Sequence, residues 1–178
     1  MADAGIPSGK DVGDSQADGS SPAARREEPA PGSELLFHAS SVWNGDALGA
    51  GELRMGDNSA GIAIAGSQAL GGAGGATNPE ELLLGALAAC FINTWAIFLK
   101  KLQLSYEQPA IRVSGSLEKD PAGGFHMTGA TVHARVPEPL LAADRPKVEK
   151  SLALTEKYCI ISKVARAAMP VKVEIEAV

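Results

Sequence analysis

The chain has 178 residues, of which 45% are apolar and 21% are charged, a composition that suits one globular domain with a sizeable hydrophobic core and excludes a wholly disordered chain. Sixteen basic and twenty-one acidic residues leave a net charge of −5. This is the wrong sign for a surface that binds a phosphate backbone, so nucleic acid is not an expected partner.

Cysteine usage favours a reducing compartment. Cys90 and Cys159 could form a disulfide, but a secreted disulfide scaffold would be shorter and denser in cysteine. The first thirty residues or so contain no apolar segment behind a basic start, so no secretory signal is expected. We therefore predict a cytoplasmic protein whose thiols are kept for chemistry.

Residues 1–33 are rich in Ala, Gly, Ser, Pro and Asp and contain no aromatic side chain. Such a segment cannot bury enough apolar surface to offset the entropy lost on ordering, so we predict a disordered N-terminal tail. Six acidic and three basic side chains of the tail carry three of the five net negative charges. The remaining residues, 34–178, are predicted to form a single domain.

Three strands are predicted next. Leu35–Trp43 is followed by Asn44-Gly45-Asp46, residues that tolerate a positive φ and favour a turn into a second strand near Leu48–Met55. Ile62–Ile64 predicts a third strand. The glycine-rich loop Gly71–Ala76 has neither the G-x-G-x-x-G spacing nor the Lys-Ser/Thr ending of a P-loop, so nucleotide binding is not predicted.

A long helix is strongly indicated after this loop. Asn78 can cap it, Pro79 suits the first helical position, and Glu81 completes a capping box. The pattern predicts that the helix ends near Leu102. The eighteen residues Leu82–Leu99 carry no charge. This length is at the lower limit of what can span a bilayer as a helix.

A helix that is apolar on all sides lies either in lipid or in the middle of a protein. Gly85, Asn93 and Thr94 interrupt the apolar run, and strands typical of a soluble protein flank it. We therefore predict a buried central helix, with a membrane span as the alternative.

The second half of the chain predicts a hairpin, two helices and a last strand. The turn of the hairpin is Asp120–Gly124. The whole order of elements is typical of an α+β fold. The predicted elements are strands Ile111–Leu117 and Phe125–Val136, a helix from near Pro146 to Tyr158, a short helix Cys159–Ala167 and a strand Val171–Glu176.

Taken one by one, the polar candidates have ordinary structural explanations. Cys90, in the apolar helix, is typical of a small core side chain. Cys159 lies at a break between helices, where free N–H groups favour a thiolate. Glu80 and Glu81 are acids of a first helical turn. The histidines are assigned no role because they lack the spacing of metal ligands: His38, His126 and His133.

The combination of motifs is more informative. Asn78–Phe91 (NPEELLLGALAACF), together with Gly74–Thr77 before it and Glu156–Ser162 (EKYCIIS) near the C-terminus, resembles the OsmC/Ohr family of osmotically inducible protein C and organic hydroperoxide resistance proteins. Trp43–Asp46 is similar to the first hairpin of the family. The resemblance covers about Phe37–Val178. It implies an α+β fold with antiparallel sheets around a long buried central helix, in an intertwined homodimer.

The resemblance also implies a thiol-dependent peroxidase that reduces organic hydroperoxides without a metal or an organic cofactor. Cys90 would be the peroxidatic cysteine, Cys159 the resolving cysteine and Glu80 the acid that organises the site. A thiolate that attacks a peroxide becomes a sulfenic acid, which condenses with a second thiol to a disulfide. Turnover then needs an external dithiol, for which family members use lipoyl-type and other small reductants.

Two departures from the family pattern bear on activity. The segment Asn44–Gly51 contains no basic residue, where peroxidases of the family place an arginine, and Arg54 follows a few positions later. Ile160 stands where many relatives have proline. Without the arginine we expect the pKa of Cys90 to lie nearer the free value of about 8.5. The alternative function is a dimer that binds a small apolar ligand, or exchanges or senses thiols, without efficient peroxidase activity.

Glu80 and Cys90 are ten positions apart on one predicted helix, or roughly 15 Å along its axis. One chain cannot bring them together. If Glu80 organises the site around Cys90, it must approach the sulfur of a partner chain across a two-fold axis. We therefore predict an active site shared between two subunits.

Overall fold

The computed structural model describes residues 30–56, 60–106 and 108–178. The predicted tail lies outside the described residues for positions 1–29, so its disorder and its boundary at residue 33 stay predictions. Phe37–Val178 forms one compact unit. Its elements, in chain order, are β1 (Ala39–Asn44), β2 (Ala50–Met55), β3 (Ile62–Ala65), a 3₁₀ turn (Gln68–Leu70), α1 (Pro79–Lys101), β4 (Ala110–Lys119), β5 (Phe125–Val136), α2 (Glu138–Tyr158), α3 (Ile160–Ala168) and β6 (Val171–Ala177).

The strands form two three-stranded sheets, in the orders β1-β2-β3 and β4-β5-β6. The predicted turn between β1 and β2 is confirmed, and Gly45 adopts a φ of 96° there, which suits glycine. The predicted hairpin β4–β5 is also confirmed, with a register shift between Ser116 and Leu117.

The α+β class is confirmed, but the sheets are not antiparallel throughout. β6 pairs with β5 in the parallel sense, with Ala130 opposite Val171 and Val136 opposite Ala177. The physical reason is the connection. A parallel pair needs a crossover of a dozen or more residues, and α2 and α3 supply it between β5 and β6.

The start of α1 confirms the predicted cap. The Asn78 Oδ1 atom accepts a hydrogen bond from the Glu81 backbone N–H at 2.9 Å, and the Glu81 carboxylate accepts one from the Asn78 N–H at 3.4 Å. Pro79 occupies the first helical position. Lys100 and Lys101 lie in the last turn, where positive charge interacts favourably with the helix dipole.

One stripe of α1 forms the centre of the core. Leu87, Phe91, Trp95 and Leu99 recur every four residues and are buried, as a helix periodicity of 3.6 requires for one face. The Trp95 indole N–H donates to the Ser151 hydroxyl of α2 at 2.8 Å. The stripe packs with buried side chains of β5, α2 and α3: Ala130, Val132, Ala134, Val136, Val148, Leu152, Cys159 and Ala165.

The side of α1 that faces away from this stripe is exposed within one chain. Leu83 and Ile97 are 42% and 48% exposed, and the stripe of small residues between them is exposed as well. By length and composition α1 could cross a membrane. The burial on every side that the sequence predicts is therefore not reached in a single chain, because the sheet and the other two helices cover only one side.

α2 starts earlier than the sequence predicts. It begins at Glu138 and contains a break at Asp144, whose φ of −155° and ψ of 53° are not helical. Pro146 explains the break, because a proline ring cannot donate a backbone hydrogen bond and clashes with the preceding turn. The Asp144 carboxylate accepts from the Lys147 N–H at 3.4 Å and so begins the second segment near the predicted position.

Candidate functional site

The structure brings the two cysteines near enough to affect each other's pKa at the contact between α1 and α3, although 69 positions separate them in the chain. Cys90 projects from the middle of α1 and is partly buried, whereas Cys159 is fully buried in the junction between α2 and α3. Cys159 ends α2 and caps α3, and its sulfur accepts a hydrogen bond from the Ser162 N–H at 3.4 Å. The α1–α3 contact therefore forms a dithiol site.

The environment of Cys90 favours its thiolate. Burial raises the pKa of Cys90, but hydrogen bonds to its sulfur from the Ile161 backbone, the Cys159 side chain and the Ile160 backbone outweigh burial and lower the pKa below its ordinary value. Thr94 contributes in the same direction. Two of these donors are free N–H groups of the first turn of α3, and a helix N-terminus stabilises an adjacent negative charge.

Cys159 is shifted in the opposite direction. Burial raises the pKa of Cys159, and the neighbouring Cys90 raises it further, while hydrogen bonds from Ser162 oppose the change without reversing it. As pH rises, Cys90 therefore loses its proton before Cys159 does. Cys90 is therefore the better nucleophile of the two, and Cys159 lies beside it as a thiol.

Glu80 is not part of this dithiol site within one chain. It lies in the first turn of α1, roughly 15 Å along the axis from Cys90. One of its carboxylate oxygens is buried and has no hydrogen-bond partner among the described residues. Glu80 lines a cavity of about 380 Å³ together with Ser67, Asn78, Leu84 and Phe125, among others.

Arg54, considered above in connection with the missing loop arginine, lies on β2. Its guanidinium forms an ion pair with the Glu52 carboxylate of the same strand, with an Nη2–Oε1 distance of 2.6 Å. The β1–β2 loop itself is held by the Trp43 indole N–H, which donates to the Asp46 carbonyl at 2.9 Å. The Asp46 carboxylate accepts from the Leu48 N–H.

Sequence reasoning missed two side chains at the site. Thr94 follows Cys90 by one helical turn, and its hydroxyl donates to the Cys90 carbonyl at 2.8 Å. Ser162 lies three residues after Cys159, and its backbone N–H donates to the Cys159 sulfur. Helical spacing from each cysteine was the signal that could have identified both. Among the residues that the structure describes, no group of three or more His, Cys, Asp or Glu side chains could hold a metal ion.

Comparison with known proteins decides the family. The model of the OsmC-like protein family matches residues 72–174, a segment that contains Glu80, Cys90 and Cys159 and more than half of the chain. The chain belongs to this family. The resemblance predicted from the sequence is therefore confirmed.

Two relatives of the OsmC-like chain illustrate the range of similarity. It is 30% identical over 105 residues to an organic hydroperoxide resistance protein-like 1 of Staphylococcus epidermidis, covering 59% of this chain and 73% of the relative. Over 143 residues it is 26% identical to the uncharacterized protein YmaD of Bacillus subtilis, covering 78% of this chain and 91% of the relative.

Solved structures show the same fold. The organic hydroperoxide resistance protein OsmC of Legionella pneumophila is 26% identical with a TM-score of 0.65, over 80% of this chain and 99% of that one. The organic hydroperoxide resistance protein OhrB of Bacillus subtilis is 27% identical with a TM-score of 0.58, over 80% of this chain and all of that one. The OsmC/Ohr fold is thus confirmed, and the family supports a peroxiredoxin-like redox role.

Proposed function

We propose that this protein is a thiol-dependent peroxidase that reduces organic hydroperoxides, with Cys90 as the attacking thiolate and Cys159 as the resolving thiol. The observation that carries the proposal is the contact between two thiols whose pKa values are shifted in opposite directions. The names of the relatives, which refer to organic hydroperoxide resistance, agree with it.

The reaction follows from the roles of the two thiols. The Cys90 thiolate attacks one oxygen of the hydroperoxide, the O–O bond breaks, and the alcohol leaves after taking up a proton, so that Cys90 becomes a sulfenic acid. The Cys159 sulfur then attacks the Cys90 sulfur, and water leaves as the disulfide forms. An external dithiol, of the lipoyl type or similar, restores both thiols and is itself oxidised to a disulfide. A reducing, cytoplasmic setting suits this cycle.

A homodimer is part of the proposal. The exposed side of α1 carries a stripe of small or uncharged residues, which lets a second helix approach closely: Gly85, Ala86, Ala89, Asn93 and Ala96. Two α1 helices that cross antiparallel at this stripe would bring Glu80 of one subunit toward Cys90 of the other. The buried, unpaired Glu80 oxygen supports this arrangement, since an orphaned polar atom is costly unless something satisfies it.

The first sheet supports a second subunit independently. All six residues of β1 are exposed, and apolar side chains on β1 and β2 are exposed with them. Val42, Trp43 and Met55 are 65%, 44% and 43% exposed. A cluster of exposed apolar side chains is typical of an interface.

A second candidate function is an apolar ligand-binding or redox-sensing dimer with slow peroxidase chemistry. A cavity of about 450 Å³ begins at Thr94, one turn after Cys90, and its other lining residues include Ile97, Phe98 and Tyr158. The rings of Phe98 and Tyr158 lie 5.5 Å apart. Such a cavity could hold the apolar part of a hydroperoxide or of an unreactive ligand. The absence of an arginine from the β1–β2 loop favours slow reduction of peroxides.

Peroxide consumption separates the two functions. Reduced protein is mixed with one equivalent of cumene hydroperoxide, and peroxide loss and free thiols are followed together. We expect one peroxide consumed and two thiols lost per chain, with a Cys90–Cys159 disulfide in the peptide map. Cys90→Ser should abolish the reaction, whereas Cys159→Ser should still consume the first peroxide. Full activity of Cys90→Ser would refute the peroxidase.

A further inference from the structure

Ser162 has a feature that the proposed function does not use. It is fully buried in the first turn of α3, and its hydroxyl oxygen has no hydrogen-bond partner among the described residues. Buried hydroxyls are almost always hydrogen-bonded, and an exception in a native fold requires an explanation. Burying this group costs stability in the state that the structure shows.

The position of Ser162 relative to Cys159 suggests that explanation. Cys159 is the N-cap of α3, and Ser162 is the third helical residue, a position from which a polar side chain can reach back toward the cap. The Ser162 N–H already donates to the Cys159 sulfur at 3.4 Å. The hydroxyl lies near enough to lower the pKa of Cys159, although it makes no hydrogen bond of ordinary geometry with the neutral thiol.

We propose that Ser162 is a hydrogen-bond donor for the Cys159 thiolate, and that its hydroxyl finds its partner during reduction of the Cys90–Cys159 disulfide, at the step in which Cys159 leaves as a thiolate. The proposal rests on the disulfide cycle of the proposed function. A thiol is a weak acceptor, and a thiolate is a strong one, so the hydroxyl gains a charge-assisted bond only in the charged state.

Burial decides which sulfur becomes the thiolate. Cys90 is partly exposed and Cys159 is fully buried, so a reductant thiolate attacks the Cys90 sulfur. The S–S bond breaks, and its electron pair leaves on the Cys159 sulfur. The second thiol of the reductant then attacks the reductant sulfur of the resulting mixed disulfide. This step releases the Cys90 thiolate and leaves the reductant as an internal disulfide. A leaving thiolate of lower pKa departs faster, and the Ser162 hydroxyl supplies that stabilisation.

The test measures disulfide reduction apart from peroxidase activity. The disulfide is formed with diamide, which oxidises thiols without a peroxide, and its reduction by dithiothreitol is followed at several pH values. We expect Ser162→Ala to slow reduction about fivefold to tenfold, the loss expected for one such hydrogen bond. In a Cys90→Ser background, Ser162→Ala should raise the pKa of Cys159, read from the ultraviolet absorbance of its thiolate.

Two further variants separate this role from a structural one. Ser162→Thr keeps the hydroxyl and should restore most of the rate. Ser151→Ala removes another fully buried serine hydroxyl, one that bonds to Trp95 and the Val148 carbonyl, and should leave the rate of reduction unchanged. An unchanged rate and pKa in Ser162→Ala, or failure of diamide to form the disulfide, would overturn the proposal. A protein inert to cumene hydroperoxide but sensitive to Ser162→Ala would refute only the peroxidase.

Discussion

Cys90 and Cys159 are close enough to act on each other, and their interaction lowers the pKa of Cys90 and raises that of Cys159. Two residues of the same type thereby acquire different chemistry. The difference comes from position, because Cys90 also faces the free N–H groups of α3, whereas Cys159 is enclosed in the junction of two helices.

The first prediction concerns the pH dependence of Cys90. A lowered pKa keeps the thiolate at pH values where a free thiol is protonated, so alkylation by iodoacetamide should rise with pH around a midpoint below that of an unperturbed cysteine, measured alongside in a short peptide. Cys159→Ala removes a donor and should move the midpoint up, while Cys159→Ser keeps a hydroxyl donor and should move it less. A midpoint at or above the free value in the wild type would contradict the role of α3.

The pKa of Cys90 also links pH to stability. The folded protein holds this pKa below its value in the unfolded chain. The contribution of the Cys90 thiolate to the free energy of unfolding is therefore fully present above the unfolded pKa, and it is lost as pH falls through the folded pKa. In Cys90→Ala the free energy of unfolding, measured by urea titration, should therefore change less with pH across this range.

The second prediction separates two adjacent acids. Glu81 holds the capping box of α1, so Glu81→Ala should lower the free energy of unfolding by about 1 kcal/mol and leave the rate constant for peroxide reduction within about twofold. Glu80 forms no part of that cap. Glu80→Gln should leave stability nearly unchanged, because it keeps the shape of the side chain and removes no hydrogen bond of the cap, and should slow peroxide reduction at least about tenfold.

Steady-state kinetics and urea unfolding of the two variants check this pair. Loss of stability in Glu80→Gln with unchanged kinetics would show that Glu80 has only a structural role. The same kinetic loss in both variants would mean that the helix terminus, and not the individual carboxylate, is what the site requires.

The third prediction tests the dimer. Ala89 lies on the exposed stripe of α1, so Ala89→Glu places a charge where the second helix is proposed to pass, without disturbing the core of one chain. Sedimentation at micromolar concentration should give twice the 18.3 kDa chain mass for the wild type and a weakened dimer for the variant. Ala143→Glu, an exposed position on α2, is the matched control and should stay dimeric. A wild-type monomer with full peroxidase activity would contradict the shared site.

The fourth prediction concerns the core contact between α1 and α2. The Trp95 indole and the Ser151 hydroxyl, 2.8 Å apart, are both fully buried. Trp95→Phe should lower the free energy of unfolding by about 2–3 kcal/mol, from lost packing and a lost hydrogen bond. A double-mutant cycle with Ser151→Ala should give a coupling of about 1 kcal/mol, measured by urea unfolding at one fixed protein concentration. Additive effects would show that the bond contributes nothing to stability.

Local chemistry made much of the fold predictable. The cap of α1 was predictable because Asn78, Pro79 and Glu81 satisfy backbone groups within one turn, and this does not depend on distant contacts. The hairpin turn at Gly45 was predictable for the same reason. The family motif around Cys90 and Cys159 was also present in the sequence alone.

Tertiary structure decided what depends on long-range geometry. The direction of β6 follows from the path of α2 and α3, which the alternating pattern of the strand does not encode. The opposite pKa shifts of the two cysteines arise only when the first turn of α3 is placed against Cys90. Ser162 becomes notable only once its burial and its proximity to Cys159 are known. Hydrogen bonding and desolvation act over a few ångströms in space, and residues 69 positions apart along the chain meet those distances only after folding.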